Sequence, residues 1–359
     1  MFKKTFLFIL SFLCASMLAS AQGISVSKKL SADNGFFNHL DLSVSAGSTG
    51  IGIDVAMPVG EYAKVRAGFA YMPRFEKISS FRVQVGDSLD KKYDQQGNRI
   101  ETKFDRLSGM LKSMTGYSVD DNVDMIMTPN YYNFRLLCDV YPFKNKRWHI
   151  TAGFYLGNST IGKSYNTTEE MPTLVSVTMY NMMFDRLHNG EPLFSFNETY
   201  TFDLPPETLY PLLDKLDEYG RMAFQVGYHK KDGPLLFDEY GNPELDDYGN
   251  QKRAYNAGDP YMMEPGEDGM VKAVARVNRF KPYLGFGYAR PITKDGLTEF
   301  SFDAGVLFWG GKPHVYTHED IDIMYDCENV TGQVGDYLSF MRAFPVFPVL
   351  EIRITRRIF

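Results

Sequence analysis

VLEIRITRRIF, Val349–Phe359, closes the chain. Leu350, Ile352 and Ile354 fall on one parity; Glu351, Arg353 and Thr355 fall on the other. Successive side chains of a strand point to opposite faces, so this segment reads as a strand that is greasy on one face and charged on the other. A strand at a terminus offers an unpaired edge. A sheet that closes on itself removes that edge by pairing the last strand with the first.

Seven earlier blocks repeat the pattern, each bounded by turn residues. They are HLDLSVSA with Leu40, Leu42 and Val44; GIGIDVAMP with Ile51, Ile53, Val55 and Met57; and AKVRAGFAYMP with Val65, Ala67, Phe69 and Tyr71. YNFRLLCDVYPF and WHITAGFYLG follow, then RFKPYLGFGYARP and EFSFDAGVLFWG. The connections VGEY, KNKR and ITKDGLT are short, and Gly47-Ser48-Thr49-Gly50 reads as a tight hairpin. Residues 73–130, 159–276 and 312–343 are long and polar connections. Apart from the first hairpin, short and long connections therefore alternate, as they do when every long loop lies at one end of a membrane barrel.

Polarity is the second sign. Opposite the apolar rows stand Asp41, Asp54, Arg66, Arg135, Asp139, Lys281, Glu299, Asp303, Glu351 and Arg353, together with glycines such as Gly68, Gly153, Gly285, Gly287 and Gly305. The apolar rows are rich in aromatics, which make up 15% of the chain. A crowded small-barrel interior needs glycine, whereas a solvated face does not. Trp148, Tyr288 and Phe359 gather at strand ends on the turn side; Tyr71, Phe280 and Phe308 gather on the loop side. Two aromatic girdles are the expected result. The fold expected is thus all-β: an up-and-down antiparallel transmembrane β-barrel of eight strands, ten being the alternative. Its long extracellular loops are partly helical. The alternating segments Arg221–His229 and Met270–Asn278 are expected to form an extra hairpin above the membrane.

FKPYLGFGYARP and FSFDAGVLFWGGKP, with the terminal Phe359, resemble the small outer-membrane β-barrel proteins of Gram-negative bacteria. The resemblance is to the broad OmpA/OmpX-like, porin-family "outer membrane protein beta-barrel" class, and it covers the eight blocks. It implies residence in the cell outer membrane, contact with outer-membrane lipids, and a C-terminal aromatic at Phe359 that barrel assembly machinery reads. It is architectural and carries over no catalytic residue.

The N-terminus agrees. MFKKTFLFILSFLCASMLASAQG has two lysines, an apolar run and Ala19-Ser20-Ala21, the pattern of a cleaved secretory signal over residues 1–21, leaving 22–359 as the barrel domain. Leu13 before Cys14 argues against a lipid anchor. Loss of Lys3 and Lys4 takes the net charge from −6 to −8, which disfavours a nucleic-acid partner. Cys138 and Cys327 then remain, and both read as unpaired.

The inward charges are the first candidate site. An eight-stranded barrel is just wide enough for its side chains to fill, and buried charges have to pair, so the ten residues named above are expected to form a salt-bridged plug. Metal ligation is the second. DEYGNPELDDYGN repeats with a period of eight at Asp238 and Asp246, and DQQGN at Asp94 echoes it; the pattern suits turns, with a calcium loop as the alternative. His314 and His318 in HVYTHEDID would share a helical face and bind zinc, but HExxH is absent and a solvated acidic loop is the plainer reading. ETLYPLLDKLDEYG, with Leu209, Leu212, Leu213 and Leu216 before Gly220, and TLVSVTMYNMMFDRL are helical patterns that suit a cap over the barrel mouth.

The function expected is non-enzymatic: a barrel that displays loops for adhesion, envelope integrity or binding of an extracellular protein or glycan, with no cofactor. A small porin or transporter is the alternative. An outer-membrane lipid-modifying enzyme or protease is a second one, although no Ser stands two residues after the inward-parity His39 or His149.

Overall fold

The computed structural model describes residues 37–85, 91–192, 194–197, 200–202, 204–238, 240–246, 248–330, 332–343 and 345–358. The signal segment and Phe359 lie outside them, as do the assembly role and girdle position expected of Phe359.

Eight strands close into an antiparallel barrel. They are β1 (Asp41–Gly47), β2 (Gly50–Pro58), β3 (Ala63–Tyr71), β4 (Tyr132–Val140), β5 (Trp148–Gly157), β6 (Phe280–Pro291), β7 (Thr298–Leu307) and β8 (Phe347–Arg357). Each pairs with its neighbours in sequence, and β8 pairs with β1 from Asp41↔Arg357 to Gly47↔Glu351. The charged terminal strand is therefore the seam. The β1–β2 turn is tight because Gly50 takes φ 98°, which L side chains rarely adopt. Ser48 at its tip donates its N–H to Leu350 O at 2.9 Å and accepts the Leu350 N–H at 3.1 Å, tying the hairpin to β8.

Alternation becomes inside and outside. On β2, Gly52, Asp54 and Ala56 are buried and Ile53, Val55 and Met57 are exposed. On β6, Lys281, Tyr283, Gly285 and Gly287 are buried, while Phe286 is 58% exposed. Ile150, Phe302, Leu350 and Ile352 belong to the same exposed rows. This inverts a water-soluble barrel, whose apolar rows face its centre. Aromatic pairs mark the margins: Trp148 meets Tyr288 edge-to-face with centroids 5.0 Å apart, and Phe154 meets Phe280 at 5.2 Å.

The three long connections rise from one end and fold together into a crown. Strands Lys77–Arg82, Asn122–Pro129, Thr160–Asn166, Lys272–Arg276 and His314–Thr317 form a five-stranded sheet. Their order repeats that of β3, β4, β5, β6 and β7, which each continues after a short break. Asn158 bridges two breaks, donating to Asn130 O at 2.5 Å and accepting from Tyr132 N at 3.2 Å. The strands β1, β2 and β8 have no such extension in this sheet, so the wall is low on their side.

Among the described residues four α-helices share the core beside this sheet: α1 (Lys103–Thr115), α2 (Met171–His188), α3 (Pro206–Tyr219) and α4 (Gly332–Ala343). The crown has its own core, which includes Leu107, Val123, Leu174, Leu216, Phe224 and Leu338. The α2 and α3 helices and the Gly220 stop follow the sequence pattern. The α1 and α4 helices are additions to that pattern. For α1 the signal is Thr102-x-x-Asp105, a capping box, with Gly116 closing the helix at φ 78°.

The expected extra hairpin is corrected. Met222–His229 pairs with Pro260–Met263, Cys327–Glu328 and Gln84–Val85, whereas Lys272–Arg276 joins the other sheet. Both alternate because both have one face on the crown core, and that pattern does not say which strands are partners.

Candidate functional site

The bore of the barrel is filled by side chains from all eight of its strands. Arg135 on β4 is at the centre and has no solvent exposure. Its Nε and Nη2 donate to the two carboxylate oxygens of Asp54 on β2, each at 2.5 Å. Its Nη1 donates to Glu351 Oε2 on β8 at 2.5 Å, and Nη2 also reaches Ser45 Oγ on β1 at 2.7 Å. Such a two-pronged grip matches the planar guanidinium to a carboxylate.

A second tier runs toward the turn end. Arg66 on β3 donates to Asp139 at 3.2 Å and lies 3.8 Å from Glu351. Thr151 donates to Asp139 at 2.7 Å. Arg353 on β8 donates to Asp303 at 3.3 Å and to Ser301 at 3.1 Å, and lies 3.9 Å from Asp139. His149 Nε2 sits 2.7 Å from Asp303 Oδ1. Ser301 donates to the other oxygen of Asp303 rather than to the imidazole, so no serine is held as a nucleophile by this histidine.

Glycine makes room for the charges. A Cβ on Gly52 would stand 2.5 Å from Arg135 Nη2, and one on Gly287 2.7 Å from Asp303 Oδ1. Neither distance is compatible with a side chain. What space remains among Asp41, Arg66, Asp139, Glu299 and Arg353 is about 20 Å³, on the scale of a single water. Toward the crown the bore is closed by Tyr155, Tyr283, Leu307 and Val349, with Phe347 packed on them; the two tyrosine rings stand 5.6 Å apart.

Seven of the ten inward charges meet in this network: Asp54, Arg66, Arg135, Asp139, Asp303, Glu351 and Arg353. The other three share its parity but not its depth. Asp41 lies at the turn end, 2.8 Å from Lys64 and 3.7 Å from Arg357. Glu299 is half-buried beside the same mouth and lines a cavity there with Lys64 and Arg357. Lys281 is at the crown end, fully buried, and among the described residues donates only to the neutral oxygens of Asn133, Asn158 and Arg279. Ser45, Thr151, His149, Ser301 and Tyr155 also take part. Their inward parity is legible in the sequence, but none carries the fixed charge that marks the other members.

The residues considered for metals are not brought together. Asp238 accepts the N–H groups of Tyr240 and Asn242 and the Asn242 side-chain amide, and Asp246 repeats this with Tyr248 and Asn250. Asp94 makes the same turn with Gln96 and Asn98. These are turn-stabilising carboxylates, with Gly97, Gly241 and Gly249 at φ 82–84°. His314 begins a strand rather than a helix and pairs with Asp322 at 2.6 Å, while His318 Nε2 sits 2.8 Å from Glu264 O. Among the described residues no group of three or more His, Cys, Asp or Glu is placed to hold a metal. Cys138 and Cys327 are both free.

Neither a family model nor a curated protein matches the chain. Among solved structures it is similar to CarO2 of Acinetobacter baumannii, at 11% identity over 90% of this chain and 100% of that one, with a TM-score of 0.35. The CarO structure from the same organism gives 12% identity over 91% and 99%, with a TM-score of 0.32. A major outer membrane protein from Thermus thermophilus gives 11% identity over 89% and 98%, with a TM-score of 0.24.

Proposed function

We propose that this chain is an outer-membrane β-barrel whose bore is sealed and whose work is done by its crown, on the outer surface of the cell. The carrying observation is the closed bore: Arg135 gripped by Asp54 and Glu351, with room beside the second tier for about one water. A solute pathway needs a continuous wet lumen, and eight strands enclose too little space once these side chains are in place.

Outer-membrane residence is supported by the exposed apolar rows on the barrel strands. In water such a belt is a large unsatisfied apolar surface; in a bilayer it is solvated by acyl chains. The crown's own core makes it a folded cap, suited to binding a molecule or an extracellular partner and to adhesion or envelope integrity. Catalysis is not part of the proposal.

Planar-bilayer recording of the purified, refolded chain tests the seal. The expected trace shows no stable conductance steps. Large, long-lived steps that persist after repurification would overturn the sealed barrel in favour of a small porin.

A further inference from the structure

The low side of the wall opens onto two adjacent chambers. The first, about 350 Å³, lies at the barrel mouth between the β1–β2 hairpin and the start of β8, and is walled by Ser48, Met72, Tyr131, Trp309, Met341 and Phe347. The second, about 330 Å³, lies between the five-stranded sheet and α4, among Met125, Met263, Ala275, Val315, Leu338 and Met341. Pro129 and Met341 belong to both walls. Each is in the size range of small-ligand sites, and methionine-rich walls adapt to a flexible chain.

Two observations say what kind of molecule fits. Trp309 is 8% exposed, yet its Nε1–H, which can only donate, meets no acceptor among the described residues. Tyr131 is 6% exposed, and its hydroxyl stands near the Asn133 side chain and Tyr155, with no hydrogen bond of good geometry among the described residues. Both residues line the first chamber, both flank Phe347 on its floor, and no acid is among the described residues of that wall. The second observation is the Lys281 ammonium, which lies outside both walls but 5.4 Å from the centre of the Tyr131 ring, and has no carboxylate partner among the described residues. A buried cation served only by neutral oxygens favours an anion close by.

We infer that the two chambers connect past Pro129 and Met341 and together hold one long-chain fatty acid. Its carboxylate accepts from Trp309 and Tyr131 near Lys281, and its acyl chain runs past Met341 into the crown. Entry is from the low side of the wall, where β1, β2 and β8 have no extension in the crown sheet. The site goes beyond the sealed-barrel reading, since it requires the crown to fold but not the bore to be closed.

The chain has two tryptophans, Trp148 and Trp309, so Trp148→Phe leaves Trp309 as the sole reporter. This variant in lipid nanodiscs is titrated with stearate brominated at mid-chain, a contact quencher. Saturable quenching at one molecule per barrel is expected, with oleate competing and oleyl alcohol competing about tenfold less well, as loss of hydrogen bonds to a charged group implies. Adding Tyr131→Phe is expected to weaken binding by roughly five- to tenfold. Adding Ala275→Phe fills the second chamber and is expected to abolish saturation while the heat-modifiable mobility of the barrel is kept. Absence of saturable quenching overturns the inference, and so does equal competition by the alcohol. Nanodiscs built from brominated phospholipid supply the other occupant: full quenching of Trp309 without added fatty acid assigns the chambers to bilayer lipid and overturns the inference as well.

Discussion

Arg135 and Asp54 meet through two hydrogen bonds of 2.5 Å each, inside the barrel and out of reach of solvent. They sit on β4 and β2, with β3 between them. Taking one ion out of a buried pair strands the other, which costs about 3–5 kcal/mol. Arg135→Leu is expected to lose that much stability in urea unfolding of the refolded barrel. Arg135→Lys is expected to recover little of it, because an ammonium cannot make the two-pronged contact. Replacing Arg135, Asp54 and Glu351 together by leucine is expected to restore most of the loss, since no buried charge is then left alone. Equal stability of Arg135→Leu and the wild type would show that the network contributes nothing.

Phe286 and Ile78 are each 58% exposed, but on different surfaces. Phe286 lies midway along β6, and Ile78 is on the crown strand Lys77–Arg82. If the barrel belt meets hydrocarbon, Phe286→Arg costs roughly 2–4 kcal/mol in a bilayer. Ile78→Arg, in water, changes stability by no more than about 0.5 kcal/mol. Unfolding of both variants in liposomes measures the difference, and matching losses would remove the case for a membrane-embedded belt.

His229 lies in the crown, stacked on Tyr255 with ring centroids 3.5 Å apart and 5.2 Å from Tyr261. Burial holds its pKa below the usual value, against the opposing pull of Asp259 and Asp326. A folded-state pKa below the unfolded one means the neutral ring stabilises the crown. That contribution is complete above the unfolded pKa of about 6.5 and is lost as the pH falls through the lower folded value. The urea midpoint of the crown is expected to drop on the acid side of this window, and His229→Phe is expected to flatten that limb. A wild-type midpoint independent of pH across the window would contradict it.

The two free cysteines separate the two environments. Cys327 is fully buried in the crown, and burial, with Asp326 second, pushes its thiol up to about 12. The thiolate is the reactive form, so iodoacetamide is expected to label Cys327 only after unfolding. Cys138 is half-buried on the outward parity of β4, beside Ala152 and Val65. In a bilayer it is expected to react with an uncharged lipophilic maleimide and to resist a charged one. Rapid labelling of Cys327 in the native protein, or of Cys138 by the charged reagent, would contradict these placements.

What could be read along the chain was whatever depends on neighbours in sequence. Period two is a consequence of the pleat, so Leu350 and Ile352 on one face and Glu351 and Arg353 on the other were legible from four letters. The same holds for the turn at Asp238, whose partners are two and four residues away, and for the α3 helix with its stop at Gly220. Connection lengths added the count of strands and the end from which the crown rises.

Depth, register and partners were not legible, because they depend on how eight strands tilt and close. Lys281 and Arg135 have the same inward parity, yet one has three neutral oxygens and the other two carboxylates. Glu351 reaches Arg135 across 216 residues of chain. The crown sheet repeats the barrel's strand order from segments too short to declare partners, and Met222–His229 found its neighbours only once the crown core existed. Trp309 and Tyr131 become a pair because closure brings β4, β7 and β8 together over Phe347. Alternation is a local property of a strand, whereas the meeting of side chains inside a bore is set by the shear of the whole closed sheet.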